Sequence, residues 1–151
     1  MNTFEEVIRF AIKHEEHEEA FYRTMAERAE NADLKEHLLE HARQEVDHKQ
    51  RLMDILTSGS TPSGDGRLPD SDLKISDYAL AVEPIDTENI GYQDALVLAA
   101  KQEREAERLY RDMAARVEDA KIKELFLFLA EQEGKHRNAL EKEFDDLQEE
   151  N

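Results

Sequence analysis

Apolar residues recur at helical spacing over most of the chain and predict four long helices. The first is predicted to begin after Thr3, which with Glu6 has the signature of a capping box, and to reach about residue 30. The second is predicted from Asp33, with Glu36 three residues later, to about residue 57. So short a connection between two long helices predicts an antiparallel hairpin.

A long connection over residues 58–90 follows this hairpin. Residues 58–66 have the Gly, Ser and Pro content of a loop, and Pro69 and Pro84 prevent one continuous helix. Only residues 72–82 have a pattern that allows a short helix. If the third helix lies parallel to the second, the chain must travel back along the bundle, about 35 Å for a helix of about 24 residues. The connection is long enough to be that crossover.

The two halves of the chain repeat one another. A shift of 88 residues aligns residues 3–56 with residues 91–144 without a gap, and 19 of the 54 aligned positions are identical. The third and fourth helices are therefore predicted over residues 92–118 and 120–147. Two copies are too few for a solenoid, so the repeat predicts an all-α four-helix bundle made of two duplicated antiparallel hairpins.

One domain of residues 1–151 is expected, because this length is sufficient to bury a substantial core. Its first hairpin is predicted at residues 3–57, its crossover at residues 58–90 and its second hairpin at residues 91–147.

Two Glu-x-x-His motifs occupy equivalent positions in the two halves. Glu45 precedes His48 by three residues, and Glu133 precedes His136 in the same way. Residues three apart share one face of a helix, so the carboxylate and the imidazole can reach one ion. One such pair in a chain this rich in glutamate is more often a solvated pair. Its recurrence at the same offset favours a shared site.

A glutamate and a tyrosine seven residues apart also recur, as Glu15 with Tyr22 and as Glu103 with Tyr110. Each glutamate lies on the apolar stripe of its helix and is predicted to face the core. Several buried carboxylates would take up protons unless a cation neutralised them. Four glutamates and two histidines from four helices match the ligand set of dinuclear carboxylate centres. The predicted metal ligands are Glu15, Glu45, His48, Glu103, Glu133 and His136.

Tyr22 and Tyr110 are candidate catalytic residues. Their hydroxyls would either hydrogen-bond the ligand carboxylates or relay electrons over a short distance. The alternative, weighed equally, is that both are core aromatic residues whose hydroxyl needs some partner.

The composition restricts the partners and the metal. A formal charge of −17 and a pI near 4.7 argue against nucleic acid and anionic membranes and suit the collection of cations. No apolar stretch approaches a membrane span and the first residues do not resemble a signal peptide, so a cytoplasmic protein is expected. Without cysteine, the chain cannot form a thiolate site, and carboxylate with imidazole suits iron, manganese or zinc.

Four further histidines are not repeated in the second half. His14 and His17 are replaced there by Gln102 and Glu105, and we expect both histidines on the surface. His37 and His41 are replaced by leucine, and we interpret both as partly exposed rather than as an entry path.

Residues 126–129, Phe-Leu-Phe-Leu, form an apolar run too wide for one hairpin to bury. The run predicts the surface of a homodimer.

The order and spacing of these motifs resemble those of rubrerythrin-type proteins of the ferritin-like di-iron superfamily. The resemblance covers both hairpins and implies a centre of two iron ions. It implies that Glu45 and Glu133 bridge or cap the ions and that His48 and His136 each bind one. Glu15 and Glu103 would be terminal ligands.

Two departures from that family are visible. Rubrerythrins proper carry a rubredoxin domain with cysteine ligands, and these residues contain no cysteine. They also carry a further glutamate on the third helix, which is Ala106 here. The only carboxylate at the matching place of the repeat is Glu18 on the first helix, an additional candidate ligand.

Three functions are open from the sequence. The first, implied by the resemblance, is the reduction of hydrogen peroxide, or a reaction with dioxygen, with electrons from an external donor such as a rubredoxin or a reductase. The second is a ferroxidase that handles iron. The third is a non-catalytic metal-binding bundle.

Overall fold

The predicted all-α architecture is confirmed. A computed structural model describes residues 2–58 and 73–150, and these residues contain no β-strand. The elements, in chain order, are α1 (Phe4–Arg28), α2 (Ala32–Ser58), a 3₁₀ helix (Ile75–Val82), α3 (Tyr92–Arg116) and α4 (Ala120–Glu150).

Helix α1 begins with the predicted capping box. The Glu6 backbone N–H donates to Thr3 Oγ1 over 3.1 Å, and the Thr3 N–H donates to the Glu6 carboxylate over 3.3 Å. At the other end of the chain, α4 continues to Glu150, beyond the predicted end at residue 147.

The second helix of the first hairpin is capped differently from the prediction. Helix α2 begins before Asp33, because Asn31 Oδ1 accepts a hydrogen bond from the Leu34 N–H over 2.8 Å. In the repeat, Asp119 Oδ1 accepts from the Ile122 N–H over 3.0 Å. The side chains of Asn31 and Asp119 thus start α2 and α4 at equivalent positions of the repeat.

The contacts between helices determine their directions. Tyr22 near the end of α1 contacts Glu103 near the middle of α3, and Tyr110 farther along α3 contacts Glu15. These reciprocal contacts make α1 and α3 antiparallel. Residues 29–31 turn α2 antiparallel to α1, so α2 and α3 are parallel, as the long connection predicts.

Two apolar clusters enclose a layer of buried polar side chains. One cluster contains the first part of α1 and the last part of α2, with Phe4, Leu52 and Phe126 among its members. The other contains the last part of α1 and the first part of α2, with Leu38, together with Leu140 of α4. On each helix the buried ionisable residues lie between the two clusters. Apolar packing therefore closes the polar layer from both ends of the bundle.

The described part of the crossover packs across α1 and α3. The Arg108 guanidinium donates to the Asp77 carbonyl, and the Ile75 N–H donates to Asn2 Oδ1 over 2.8 Å. The short helix allowed at residues 72–82 is a 3₁₀ helix with a kink at Tyr78. The predicted loop from residue 59 to residue 66 lies outside the described residues.

The apolar run at residues 126–129 is divided between the core and the surface. Phe126 and Leu129 are buried, whereas Leu127 is 44% exposed and Phe128 lies beneath the Arg51 guanidinium at 4.8 Å. The homodimer stays a prediction. Among the described helices, none combines the length and the apolar character that crossing a membrane requires.

Candidate metal centre

The structure brings all six predicted ligands into the polar layer between the hairpins. Their four carboxylates have no exposed surface, and the two imidazoles are 1% and 2% exposed. Three more buried polar residues adjoin them, namely His14, Glu18 and Gln102.

The ligand atoms form two overlapping groups, within each of which all atoms lie within 4.8 Å of one another. One group is made by Glu15, Glu45, His48 and Glu133. The other is made by Glu45, Glu103, Glu133 and His136. Glu45 and Glu133 belong to both groups, which is the arrangement of two ions that share two carboxylates. Metal binding by these residues stays a prediction.

Each Glu-x-x-His histidine directs its Nδ1 atom at the carboxylates. His48 Nδ1 lies 3.6 Å from Glu15 and 3.9 Å from Glu45, and His136 Nδ1 lies 2.6 Å from Glu45. On the far side of the ring, His136 Nε2 donates to Gln44 Oε1 over 2.6 Å. This bond keeps the proton on Nε2 and leaves the Nδ1 lone pair for a ligand. Sequence reasoning did not single out Gln44, although it is one of the identical positions of the repeat.

Each tyrosine contacts the glutamate of the opposite hairpin. The Tyr110 hydroxyl donates to Glu15 Oε1 over 2.7 Å, and the Tyr22 hydroxyl lies 3.5 Å from Glu103 Oε1. Burial and the surrounding carboxylates raise the pKa of both phenols well above the usual value, so both keep their protons. The contacts orient the two terminal carboxylates. A redox or catalytic role of either tyrosine stays a prediction.

Two of the four ligand carboxyls, those of Glu45 and Glu133, hold protons when no cation is present. Burial, and then the charge of Glu15, raise the pKa of Glu45 and of Glu133 well above the ordinary value. Burial acts in the same direction on Glu15, but the neighbouring Glu45 carboxyl and His48 imidazole outweigh it and lower the pKa of Glu15. A cation that replaced these protons would remove the cost of several like charges in one buried layer.

The residues fit a dinuclear metal group. Buried ligand atoms without a hydrogen-bond partner occur in all six residues: Glu15 Oε2, both oxygens of Glu45 and of Glu133, Glu103 Oε2, His48 Nδ1 and His136 Nδ1. Buried polar atoms are rarely left unpaired in proteins, and a cation held by these six residues would give these atoms a partner.

The prediction that His14 lies on the surface is wrong. His14 is 1% exposed because the 3₁₀ helix covers this face of α1, and its Nδ1–H donates to the Ala81 carbonyl over 2.7 Å. Its Nε2 atom faces the cluster, 3.6 Å from Glu133 Oε2. Burial lowers the pKa of the His14 imidazole, but Glu133 and the neighbouring carboxylates outweigh burial and raise it to about 10. His17 is partly exposed.

Glu18 lies fully inside the same layer. Neither of its oxygens has a hydrogen-bond partner, and burial raises its pKa to about 7. One ligand atom each from His14, Glu18 and Glu103 lies within 4.8 Å of the other two. The role of Glu18 as an additional ligand stays a prediction.

His41 is partly buried and lies between His136 of the polar layer and the exposed His37. Its ring stacks on the ring of His136, with the two centroids 4.4 Å apart. The centroid of the exposed His37 ring lies 5.9 Å from that of His41. Burial, and then His37, lower the pKa of His41 to about 4, so it is neutral at pH 7.

The sequence matches the family model described as Rubrerythrin over residues 6–67 and 94–151. These two stretches contain all six predicted ligands. No curated protein and no solved structure matches the chain at a significant level.

Proposed function

The chain belongs to the rubrerythrin family, and from this premise we propose that it reduces hydrogen peroxide at a dinuclear iron centre with electrons from an external donor. The observation that carries the proposal is the convergence of the six repeated ligands in one buried layer, with unpartnered donor atoms in every one of them.

Two pairs of residues would each hold one ion. Glu15 and His48 would bind the first, and Glu103 and His136 the second. The two shared glutamates, Glu45 and Glu133, would contact both ions. Manganese or zinc would fit the same oxygen and nitrogen atoms. Iron is proposed because the reaction needs a metal that changes its oxidation state.

When bound, the two iron ions supply one electron each, so that hydrogen peroxide, two electrons and two protons give two molecules of water. The residues of the chain supply the surroundings. The apolar clusters on both sides exclude bulk water from the layer. Tyr110 and Tyr22 hold Glu15 and Glu103 in place. As long as no cation binds its carboxylate, Glu18, whose carboxyl has a pKa of about 7, can hold a proton beside the centre and release it.

The electrons would come from outside these residues. The chain contains no cysteine, so it cannot form the thiolate-bound iron site that delivers electrons in rubrerythrins proper. A separate rubredoxin or a reductase is the proposed donor.

The test is anaerobic stopped-flow spectroscopy of the iron-loaded, chemically reduced protein. We expect about one peroxide to be consumed per pair of ions in a single fast event. Turnover should then stop until an external donor is added. Oxidation by dioxygen at the same concentration should be much slower. If dioxygen oxidises the reduced centre faster than peroxide does, the oxidase or ferroxidase alternative replaces this proposal.

A further inference from the structure

The first hairpin carries two buried polar residues that the second hairpin lacks. His14 and Glu18 lie four residues apart, on one face of α1. Their counterparts at the offset of 88 are Gln102 and Ala106, also buried. The two halves of the centre are therefore unequal, and the difference consists of one imidazole and one carboxylate placed side by side.

A hydrogen bond to the crossover does not by itself require a histidine at position 14. His14 Nδ1 donates to the Ala81 carbonyl over 2.7 Å, and Gln102 Nε2 donates to the Glu83 carbonyl over 2.5 Å. A glutamine thus makes the same kind of bond on the other side. What the imidazole adds is a second nitrogen, Nε2, that points into the polar layer. A histidine held through one ring nitrogen by a backbone carbonyl is the usual state of a metal ligand.

The donor atoms of His14 and Glu18 form no hydrogen bonds, although His14 Nε2 lies 3.6 Å from Glu133 Oε2. His14 Nε2 and both oxygens of Glu18 are fully buried and have no hydrogen-bond partner. One ligand atom each from His14, Glu18 and Glu103 lies within 4.8 Å of the other two. Donor atoms that each lie about 2.1 Å from one ion are separated by about 3 to 4 Å. The 4.8 Å limit on the separations in this group includes that range.

We propose that His14, Glu18 and Glu103 form a further binding position for a divalent transition-metal ion, next to the dinuclear centre and sharing Glu103 with it. One imidazole and two carboxylates suit Fe²⁺, Mn²⁺ or Zn²⁺. The position requires that the layer binds metal but does not depend on which substrate the centre reduces.

The charge of the layer leaves room for this cation. Five fully buried glutamates surround it, namely Glu15, Glu18, Glu45, Glu103 and Glu133. Two divalent ions balance four of their five negative charges. The fifth is balanced by a proton on His14, or it is outweighed by a third divalent ion, which leaves one positive charge in excess. These two arrangements differ in the number of bound ions, which can be measured.

The experiment counts redox-inert ions on the full chain. The protein is stripped with a chelator, loaded with Zn²⁺, desalted and analysed for zinc per chain by mass spectrometry. The variants are His14→Gln and Glu18→Ala, which install the residues of the second hairpin. The matched control is His17→Gln, a partly exposed histidine on the same helix outside the cluster. Far-ultraviolet circular dichroism verifies that each variant is folded.

We expect three zinc ions in the wild type and in His17→Gln, and two in both cluster variants. A zinc-edge anomalous map of wild-type crystals should show one peak at His14 Nε2 in addition to two between the hairpins. This map requires no variant and therefore stands if a variant does not fold.

Two ions in the wild type, both between the hairpins, overturn the further position and leave the dinuclear centre intact. Two ions of which one lies beside His14 instead of His136 overturn both assignments. Three ions in the variants also overturn the further position. No bound zinc in any protein would overturn both the further position and the dinuclear centre.

Discussion

Tyr110 of the second hairpin donates a 2.7 Å hydrogen bond to Glu15 of the first, and the equivalent contact from Tyr22 to Glu103 is 3.5 Å long. Each hairpin thus orients a carboxylate of the other. The two contacts join equivalent positions of the repeat. The shorter one, from Tyr110, is the stronger, because a hydrogen bond weakens as it lengthens. The centre is built by both hairpins together, and its two halves are not equivalent.

The unequal tyrosine contacts predict unequal effects on metal binding. Tyr110→Phe removes a well-formed bond to Glu15 and should weaken binding of one ion by about 10-fold to 100-fold. Tyr22→Phe should have a clearly smaller effect. Isothermal titration with Mn²⁺ measures both. Equal losses in the two variants would contradict the interpretation of the contact lengths.

Metal should stabilise the bundle. An ion at 100 times its dissociation constant adds about 2.7 kcal/mol, which raises the melting temperature of a chain of this size by roughly 5 to 10 °C. Glu133→Gln should lose most of this gain, because Glu133 belongs to both ligand groups. Glu131→Gln, at an exposed position of the same helix, should retain it. Calorimetry with and without Mn²⁺ provides the measurement, and a gain in Glu133→Gln equal to the wild-type gain would argue against the site.

The metal-free protein should lose stability as pH rises from 7 to 9. Glu45 and Glu133 hold protons in the folded state that the unfolded chain releases above their usual pKa of 4.5, because burial raises their pKa. His14, with a folded pKa of about 10 against 6.5, contributes in the same direction. The lowered pKa values of His41 and His136, about 4 and about 3, act oppositely but only below about pH 6.5.

Each extra proton held by the folded state lowers the free energy of unfolding by about 1.4 kcal/mol per pH unit. Urea unfolding at pH 7, 8 and 9 with a chelator should therefore show a steady decline. The increment from added metal should grow over the same range, since the ligands must release their protons to bind. A free energy of unfolding that rises with pH in the chelated protein would contradict the assigned pKa directions.

His41 is expected to be dispensable for binding the two ions. It stacks on His136 but occupies the position of Leu129 in the repeat. His41→Leu should therefore keep two ions per chain at the dinuclear positions, by metal analysis and by the anomalous map. Loss of the ion beside His136 would assign His41 a direct role.

The sequence predicts what the two halves share. The repeat selected the six candidate ligands and the two tyrosines because each residue has an identical counterpart, and helical spacing placed them on the inward faces where the structure has them. Helix capping was less predictable. Asp33 and Asn31 are both good cap residues, and only the backbone geometry selects Asn31.

The same comparison failed where the halves differ. His14 was expected on the surface because its counterpart is glutamine, yet Gln102 is itself buried. The crossover buries both residues, and the crossover is the part of the chain that the repeat does not contain. Its path depends on contacts such as that between Asn2 and Leu73, which are distant in sequence and have no periodic signal. A residue unique to one copy can therefore be buried at the site.

Anomalous diffraction at the iron edge, from crystals of the iron-loaded protein, tests the central claim most directly. Apart from any iron at the further position beside His14, the account predicts two peaks about 3.5 to 4 Å apart, both in contact with Glu45 and Glu133, one beside His48 and the other beside His136. Iron bound only at surface carboxylates, or no iron in the layer while the protein remains folded, would contradict it.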